Sequence, residues 1–424
     1  MDQRRKKRRG MLQNIAIVLL TVSAAALCVQ TQLYNLGGSS AFSDLFVSAA
    51  AQKAPSVSGL SDLSAPVRIA VSGAYGRWAD LSAATGSESF SAPGSLLMEA
   101  VGSAGPVREC RAEEFRAALR TGPDAGVSVY FDFGSPLPAS YLAGLVGAEW
   151  TGGTLNVRRV LLAAESGSVR LFLWDGETVC RVCSTALPAR SVEELAASYP
   201  LGSAWFAFDQ PEACGHTDPY SLFSEQFTPP PALSASGTLT DVSALMSALS
   251  FNPHTNFRYA EASGAEVVVE GERTLRIRTD GEVTYQGGGD ALRAAPENAD
   301  QAQTLVGVFQ LLSRLLATQD SAAELYLQNV QTDGSLRILR FGYHSAGLPI
   351  RLSSGNCAAE VTLDGQSVIQ LTLRLRRYEA AGESTEPLLP LAQALSVARR
   401  YPGRELALCY VDSGGSADVQ WLAE

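Results

Sequence analysis

The stretch Ser247–Gly264, SALSFNPHTNFRYAEASG, gathers Asn252, His254, Thr255, Asn256, Arg258 and Tyr259 directly before an apolar run. Such a set could ligate a metal through imidazole or move a proton. The other histidines, His216 and His344, stand far from His254 and from each other, without the short spacing of a ligand set. Cys180-Arg-Val-Cys183 has the spacing of a redox or zinc pair. It lies in TVCRVCST, however, where strand-like alternation sends the two sulfurs to opposite faces, so both are expected as core cysteines. Cys110, Cys214, Cys357 and Cys409 are scattered and suggest no dense framework. The only lysines are Lys6, Lys7 and Lys53, which removes phosphate-loop, Schiff-base and Ser-x-x-Lys chemistry from the rest of the chain. GxSxG, HExxH, GxGxxG and EF-hand patterns are absent. Glu113-Glu114 and Glu193-Glu194 adjoin on expected helices and read as solvated faces.

Asn252-Pro253 offers a plainer reading of the opening stretch. Proline pushes the preceding residue out of the helical region, so the pair should end the helix DVSALMSALS, whose Val242, Leu245, Met246 and Leu249 form an apolar stripe. Thr255 and Asn256 then bond to nearby backbone in the same turn. No catalytic, cofactor-binding or metal-ligating residue is expected, although a Ser-His-Asp group assembled from distant positions stays open.

The chain has 424 residues, 46% hydrophobic and 18% charged, enough for two or three domains. Residues 1–10, MDQRRKKRRG, hold six bases and one acid, and the remainder carries 27 bases against 42 acids, a net −15. An acidic body argues against a nucleic-acid or anionic-membrane surface on the main domains. Residues 11–33 follow as an uncharged stretch of bilayer length, with the basic tail placing the N-terminus in the cytoplasm and the bulk outside. Ala24-Ala25-Ala26 offers the alternative of a cleaved secretion signal. Residues 34–65 are Gly, Ser and Ala-rich and read as a linker. Strand-like and short helical runs alternate over 66–209, with Asp175-Gly176 as a hairpin signal. Residues 210–238, with Pro229-Pro230-Pro231, read as a connection. Residues 239–424 form a second unit, divisible into 239–290 and 291–424, with a helix capped by Asn298 or Asp300 and a hairpin at Asp333-Gly334. There Ile369, Leu371, Leu373 and Leu375 alternate with Gln370, Thr372, Arg374 and Arg376, as in a strand with one wet face. The fold class expected is α+β: a transmembrane helix followed by extracytoplasmic domains of antiparallel sheet with packed helices.

Two stretches carry a family resemblance. One is the helix followed by FNPHTNFRY and EASGAEVVVEGERTLRIRTDGEVTY; the other is LRFGYHSAGLPIRLSSGNCAAEVTLDGQSVIQLTLRLRRYE. With the basic tail, single span and lysine-free β-rich body, they resemble the membrane-anchored YycH and YycI regulators found beside the WalK (YycG) sensor histidine kinase in Gram-positive bacteria. The resemblance covers residues 240–424 and the anchor, and 66–230 add little to it. It implies a non-enzymatic, single-pass regulator of a two-component sensor kinase in cell-wall homeostasis. Its partners would be a WalK-type kinase and a second YycH/YycI-like protein. A wall-associated binding scaffold, to which Tyr75, Trp78 and Trp150 would contribute, and a wall hydrolase are the alternatives. Within the span, Ala24 and Ala25 with Ala26 would admit a second helix closely, and Thr21 and Ser23 would bond across it. Arg374, Arg376 and Arg377 would line a polar strand face toward an acidic partner. No cofactor, metal or nucleic-acid partner is expected.

Overall fold

The computed structural model describes residues 67–84, 87–237, 242–252, 254, 256–288, 292–316, 321–355, 357–381 and 387–424. The expected tail, span and linker, with Thr21, Ser23, Ala24 and Ala25, lie outside them. No helix of the described residues is long and apolar enough to cross a membrane.

The first layer is built from β1 (Val67–Gly73), β2 (Gly76–Ala83), α1 (Glu88–Gly102), β3 (Arg108–Cys110), α2 (Ala112–Ala118), β4 (Ser128–Pro138), α3 (Ala139–Leu145), β5 (Asn156–Glu165), β6 (Ser168–Trp174), β7 (Cys180–Pro188) and α4 (Ala189–Ala197). Its strands pair antiparallel in the order β2-β1-β4-β5-β6-β7-β3. The central strands read VYF, VLL and LFL because they are covered on both sides, and Val129, Tyr130, Phe131, Val160, Leu161 and Leu162 are fully buried. On one face Phe90 of α1 meets Phe131 edge-on at 6.3 Å. On the other, Phe115 of α2 packs within 5.1–6.4 Å of Tyr130, Phe172, Trp174 and Tyr220. The β6–β7 hairpin turns at Asp175-Gly176 as expected: the Asp175 carboxylate accepts from the backbone of Glu177, Thr178 and Val179, and Gly176 takes φ +95°.

Cys180 departs from the expectation of a core thiol. The β3–β7 register sets Cys110 opposite Cys180, and the two form a disulfide with Cα atoms 5.2 Å apart. Three residues of edge strand are too short to hold themselves, and the bridge supplies the missing constraint. Cys183 faces the other way, as the alternation requires, and burial pushes its thiol up to about 11.

Within the expected connection, residues 210–237 are built into the body. After β8 (Ala204–Phe206) come α5 (Pro211–Cys214), β9 (Leu222–Ser224), which pairs β8, and β10 (Leu233–Ser236), which joins the second sheet between β21 and β23. That sheet comprises β10, β11 (Phe257–Ala260), β12 (Glu266–Glu270), β13 (Arg273–Ile277), β14 (Glu282–Gln286), β15 (Leu292–Arg293), β16 (Glu324–Asp333), β17 (Leu336–Ser345), β18 (Leu348–Arg351), β19 (Ala359–Asp364), β20 (Ser367–Arg374), β21 (Arg377–Ala380), β22 (Leu406–Asp412) and β23 (Ser416–Ala423). Its order is β11-β12-β13-β14-β20-β19-β17-β18-β22-β23-β10-β21, with β15 on β20 and β16 on β17. Pairing is antiparallel except between β18 and β22. The associated helices are α6 (Val242–Ala248), α7 (Gln301–Leu316) and α8 (Leu391–Ala398). Asp300 caps α7 reciprocally with Gln303, which fits the expectation for that end. The β16–β17 hairpin turns at Asp333-Gly334, with Gly334 at φ +61°.

The two sheets meet at buried charge. Backbone register places Arg68, Asp132, Arg159 and Trp174 side by side on four adjacent strands. Glu405, just before β22, enters this row from the second sheet. Its carboxylate lies 2.5 Å from Arg68 and also pairs with Arg158. Asp132 lies 2.8 Å from Arg68 and 3.1 Å from Arg158, and accepts from the Gly134 N–H at 2.8 Å. Arg159 reaches Asp218 at 3.2 Å and stacks 4.8 Å over Tyr220 and 5.1 Å over Trp174. Burial opposes both acidic charges, but the arginines prevail and hold the two carboxyls below their usual range.

Glu405→Gln leaves Arg68 and Arg158 short of a partner and should cost about 3–5 kcal/mol in denaturant unfolding. Because both carboxyls titrate lower in the folded chain, their contribution is complete above their ordinary values of 4.5 and 3.8 and is lost as pH falls below them. An acid melt in which Glu405→Gln matches the parent at neutral pH would refute the assignment.

Candidate partner-contact surface

The opening stretch folds as a turn, by a different device from the expected one. Helix α6 stops before Asn252-Pro253, because Ser250 takes the left-handed conformation at φ +58° and the Phe251 N–H reaches back to the Met246 carbonyl at 2.8 Å. Phe251 is thereby driven into the core, 4.9 Å beneath the Arg273 guanidinium and edge-on to Tyr285. Asn252 accepts from the His254 N–H at 2.9 Å through its side chain, and its carbonyl accepts from the Asn256 amide at 2.6 Å. His254 itself is exposed. Pro253 and Thr255 lie outside the described residues.

The turn delivers β11 to the edge of the sheet, where all four of its residues are exposed. Cross-strand register connects Arg258 to Val268, Leu275 and Tyr285, the row that receives Phe251. Phe257 and Tyr259 therefore point to the opposite face, 67% and 44% exposed, with ring centroids 5.8 Å apart. The same register continues that face inward from Tyr259 through Val267, Arg276, Thr284, Thr372, Glu360 and Arg340. Its charges are balanced locally: Arg340 bonds Glu360 at 2.7 Å, and Arg276 pairs with Glu261. An open groove of about 320 Å³ lies beside Arg276, bounded by Glu261, Ser263, Ala265, Arg278 and Thr279. The result is a mostly polar, half-buried sheet face, broken by the buried Val267, that ends in two exposed rings on a strand edge, an arrangement able to pair with an extended partner segment.

Arg374, Arg376 and Arg377 do not share one strand face, because β20 ends at Arg374 and β21 begins at Arg377. Arg374 stands on the polar face but is held by the Cys357 carbonyl at 3.0 Å and by Glu282 at 3.3 Å. Arg376 braces the β22–β23 turn by a two-pronged pair to Asp412 at 2.7 and 2.9 Å and a bond to the Gly414 carbonyl. Arg377 is half-buried, 2.5 Å from Glu379. Phe257 was not singled out in the sequence, and Tyr259 was read only as part of the polar turn. Their i, i+2 spacing beside a polar turn was the available signal, but an edge strand looks like an interior one until its neighbours are known. Of the aromatics considered for a scaffold, Tyr75 is 89% exposed, Trp78 packs at a tilt against Tyr199 with centroids 4.4 Å apart, and Trp150 donates to the Gly153 carbonyl.

His216 bonds the Leu395 carbonyl at 2.8 Å, and His344 is buried against Tyr326, its Nδ1 without a partner. Among the described residues no three His, Cys, Asp or Glu side chains converge as a metal group. The carboxylates that do converge, Asp132 and Glu405, are buried, ionised and paired with arginine.

Two largely antiparallel sheets with peripheral helices, tied by a buried charge cluster, define an α+β protein. No family model and no curated protein matches the chain. Among solved structures, the crystal structure of YycH from Bacillus subtilis matches it with a TM-score of 0.54. The match spans 86% of this chain and 95% of that one at 10% identity, so what is shared is the fold. A likeness first read from residues 240–424 thus extends into the earlier sheet as well.

Burial pushes His344 down to about 4 from 6.5. The unfolded chain therefore binds a proton between those values that the folded chain refuses, and stability should fall by about 3 kcal/mol from pH 6.5 to 4. Denaturant titrations of His344→Asn across that window should show a flatter slope; a slope equal to the parent's would exclude the histidine as its source.

Phe257→Ala, Tyr259→Ala and His254→Ala should each stay within about 0.5 kcal/mol of the parent, whereas Phe251→Ala should cost about 3–5 kcal/mol. Equal losses at Phe257 and Phe251 would mean that the edge rings are core.

Proposed function

We infer that the chain is a non-enzymatic, membrane-anchored regulator of a sensor histidine kinase of the WalK type, acting through protein contact. The observation that carries this reading is the YycH fold over most of both chains, together with the family likeness of the two sequence stretches. The Cys110–Cys180 disulfide supports an oxidising compartment outside the cytoplasm, which agrees with the topology expected from the basic tail and uncharged span. Coupling would run partly through the span, where Thr21, Ser23, Ala24 and Ala25 would supply the close-packing face of a spanning helix. In the body, contact would centre on Phe257 and Tyr259 at the β11 edge. Arg374 would lie on the face behind them. Arg376 would hold the β22–β23 turn, and Arg377 would act from the far end of the sheet. A second protein of the same family would be a further partner.

The test is co-purification of the full chain with the neighbouring sensor kinase in detergent. A Phe257→Ala/Tyr259→Ala variant should weaken association about tenfold or more while remaining folded. Replacing residues 11–33 by an unrelated span should separate helix-to-helix coupling from tethering. Unchanged kinase control with both alterations would remove these contacts from the mechanism. Failure of the intact chain to associate with any histidine kinase would sink the regulator reading.

A further inference from the structure

The acidic body carries one compact basic and apolar corner. From Pro387 to Arg404 the sequence PLLPLAQALSVARRYPGR has no acidic residue, although the chain beyond residue 10 is strongly acidic. Arg399, Arg400 and Arg404 are exposed and form no ion pair among the described residues. Leu389 and Val397 are each 48% exposed and Tyr401 is 54% exposed, three of the six most exposed large apolar side chains among the described residues. Val397 lies on α8, Leu389 just before it and Tyr401 just after it, while Ala394 and Ala398 of the helix are buried with Phe223 and Leu406. Glu405, the next acid downstream, turns inward to Arg68 and Arg158, and the nearest acids upstream, Glu383 and Glu386, lie outside the described residues.

The corner is also held in shape. Gly403 donates to the His216 carbonyl and Asp218 to the Arg404 carbonyl, both at 2.8 Å. His216 bonds the Leu395 carbonyl at 2.8 Å, and Trp421 donates to the Leu389 carbonyl at 3.2 Å. A fixed surface loses little freedom on docking.

We propose that this corner, α8 with the Arg399–Arg404 loop, docks the body onto an anionic lipid surface. Guanidinium groups would meet headgroup phosphates while Leu389, Val397 and Tyr401 enter the interfacial region, the side-chain mixture that such surfaces select. The same bilayer repels the acidic remainder, so the charge distribution favours one orientation, with α8 against the membrane.

The experiment is hydroxyl-radical footprinting of the full chain in vesicles of phosphatidylglycerol or of phosphatidylcholine. Tyr401 is the reporter and Tyr75, outside the corner, is the control. Tyr401 oxidation should fall severalfold in phosphatidylglycerol alone, with Tyr75 unchanged, and the protection should fade at high salt. Arg399→Ala/Arg400→Ala/Arg404→Ala should weaken docking about a hundredfold and restore the phosphatidylcholine level. An unchanged thermal melt excludes unfolding as the cause. Equal Tyr401 oxidation in the two lipids would overturn the proposal. So would protection that persists in the triple variant, or that arises only when a kinase is added.

Discussion

The insertion of Glu405 among Arg68, Arg158 and Arg159 is the constraint on which the arrangement of the two sheets depends. The first sheet, taken alone, would bury three guanidinium groups beside a single carboxylate, Asp132, and burial of unpaired cations is costly. Asp218 and Glu405 make up the difference. Each comes from outside the first sheet, Asp218 from the segment beside β9 and Glu405 from the start of β22. The first sheet is therefore electrically complete only when later chain has closed over it.

Position follows from the same pairing. Apolar surfaces slide past one another at small cost, but a buried charge displaced by one residue loses its partner. Glu405 is further fixed by reciprocal backbone bonds with Glu424, and the Leu406 N–H bonds the Ser221 hydroxyl at 3.1 Å. Arg351 grips the Glu424 carboxylate, which carries the restraint to the end of the chain. A second pair of the same kind, Arg376 with Asp412 and Tyr378, sets the turn between β22 and β23 relative to β21. Strands β18, β22 and β23 thus receive their register from side-chain charge as well as from ladder bonds.

Much of the local structure was legible because its causes are local. Alternating apolars marked β20. Asp-Gly pairs marked two hairpins, and the cap candidates Asn298 and Asp300 marked the start of α7, where Asp300 is the cap. What stayed hidden depends on distant partners. Cys110 and Cys180 are 70 residues apart, and nothing near either one distinguishes a bridge from a core thiol. Arg374 and Arg376 looked like one wet strand face. The chain leaves β20 between them, and Asp412, 36 residues on, claims the second. Polar residues at strand ends keep the same composition whether they meet solvent, a carbonyl or a buried acid.

The polar face behind Phe257 and Tyr259 differs from the buried cluster in one decisive respect. Both contain arginine and glutamate in contact, but in the cluster the pairs are desolvated, and on the face water can replace either partner. Surface pairs of that kind contribute little to folding and yield readily to a competitor. Arg340–Glu360 and Arg276–Glu261 can therefore exchange partners without loosening the sheet beneath them, whose packing rests on Leu275, Tyr285, Val361 and Leu371. The packed side and the solvent-facing side of the same strands are thus opposite one another. A load applied at the free β11 edge passes along six ladders of backbone bonds before reaching β17, where β18 begins the route to β22 and Glu405. The edge and the charged junction belong to one continuous hydrogen-bonded sheet, so displacement at either end is resisted by the whole of it.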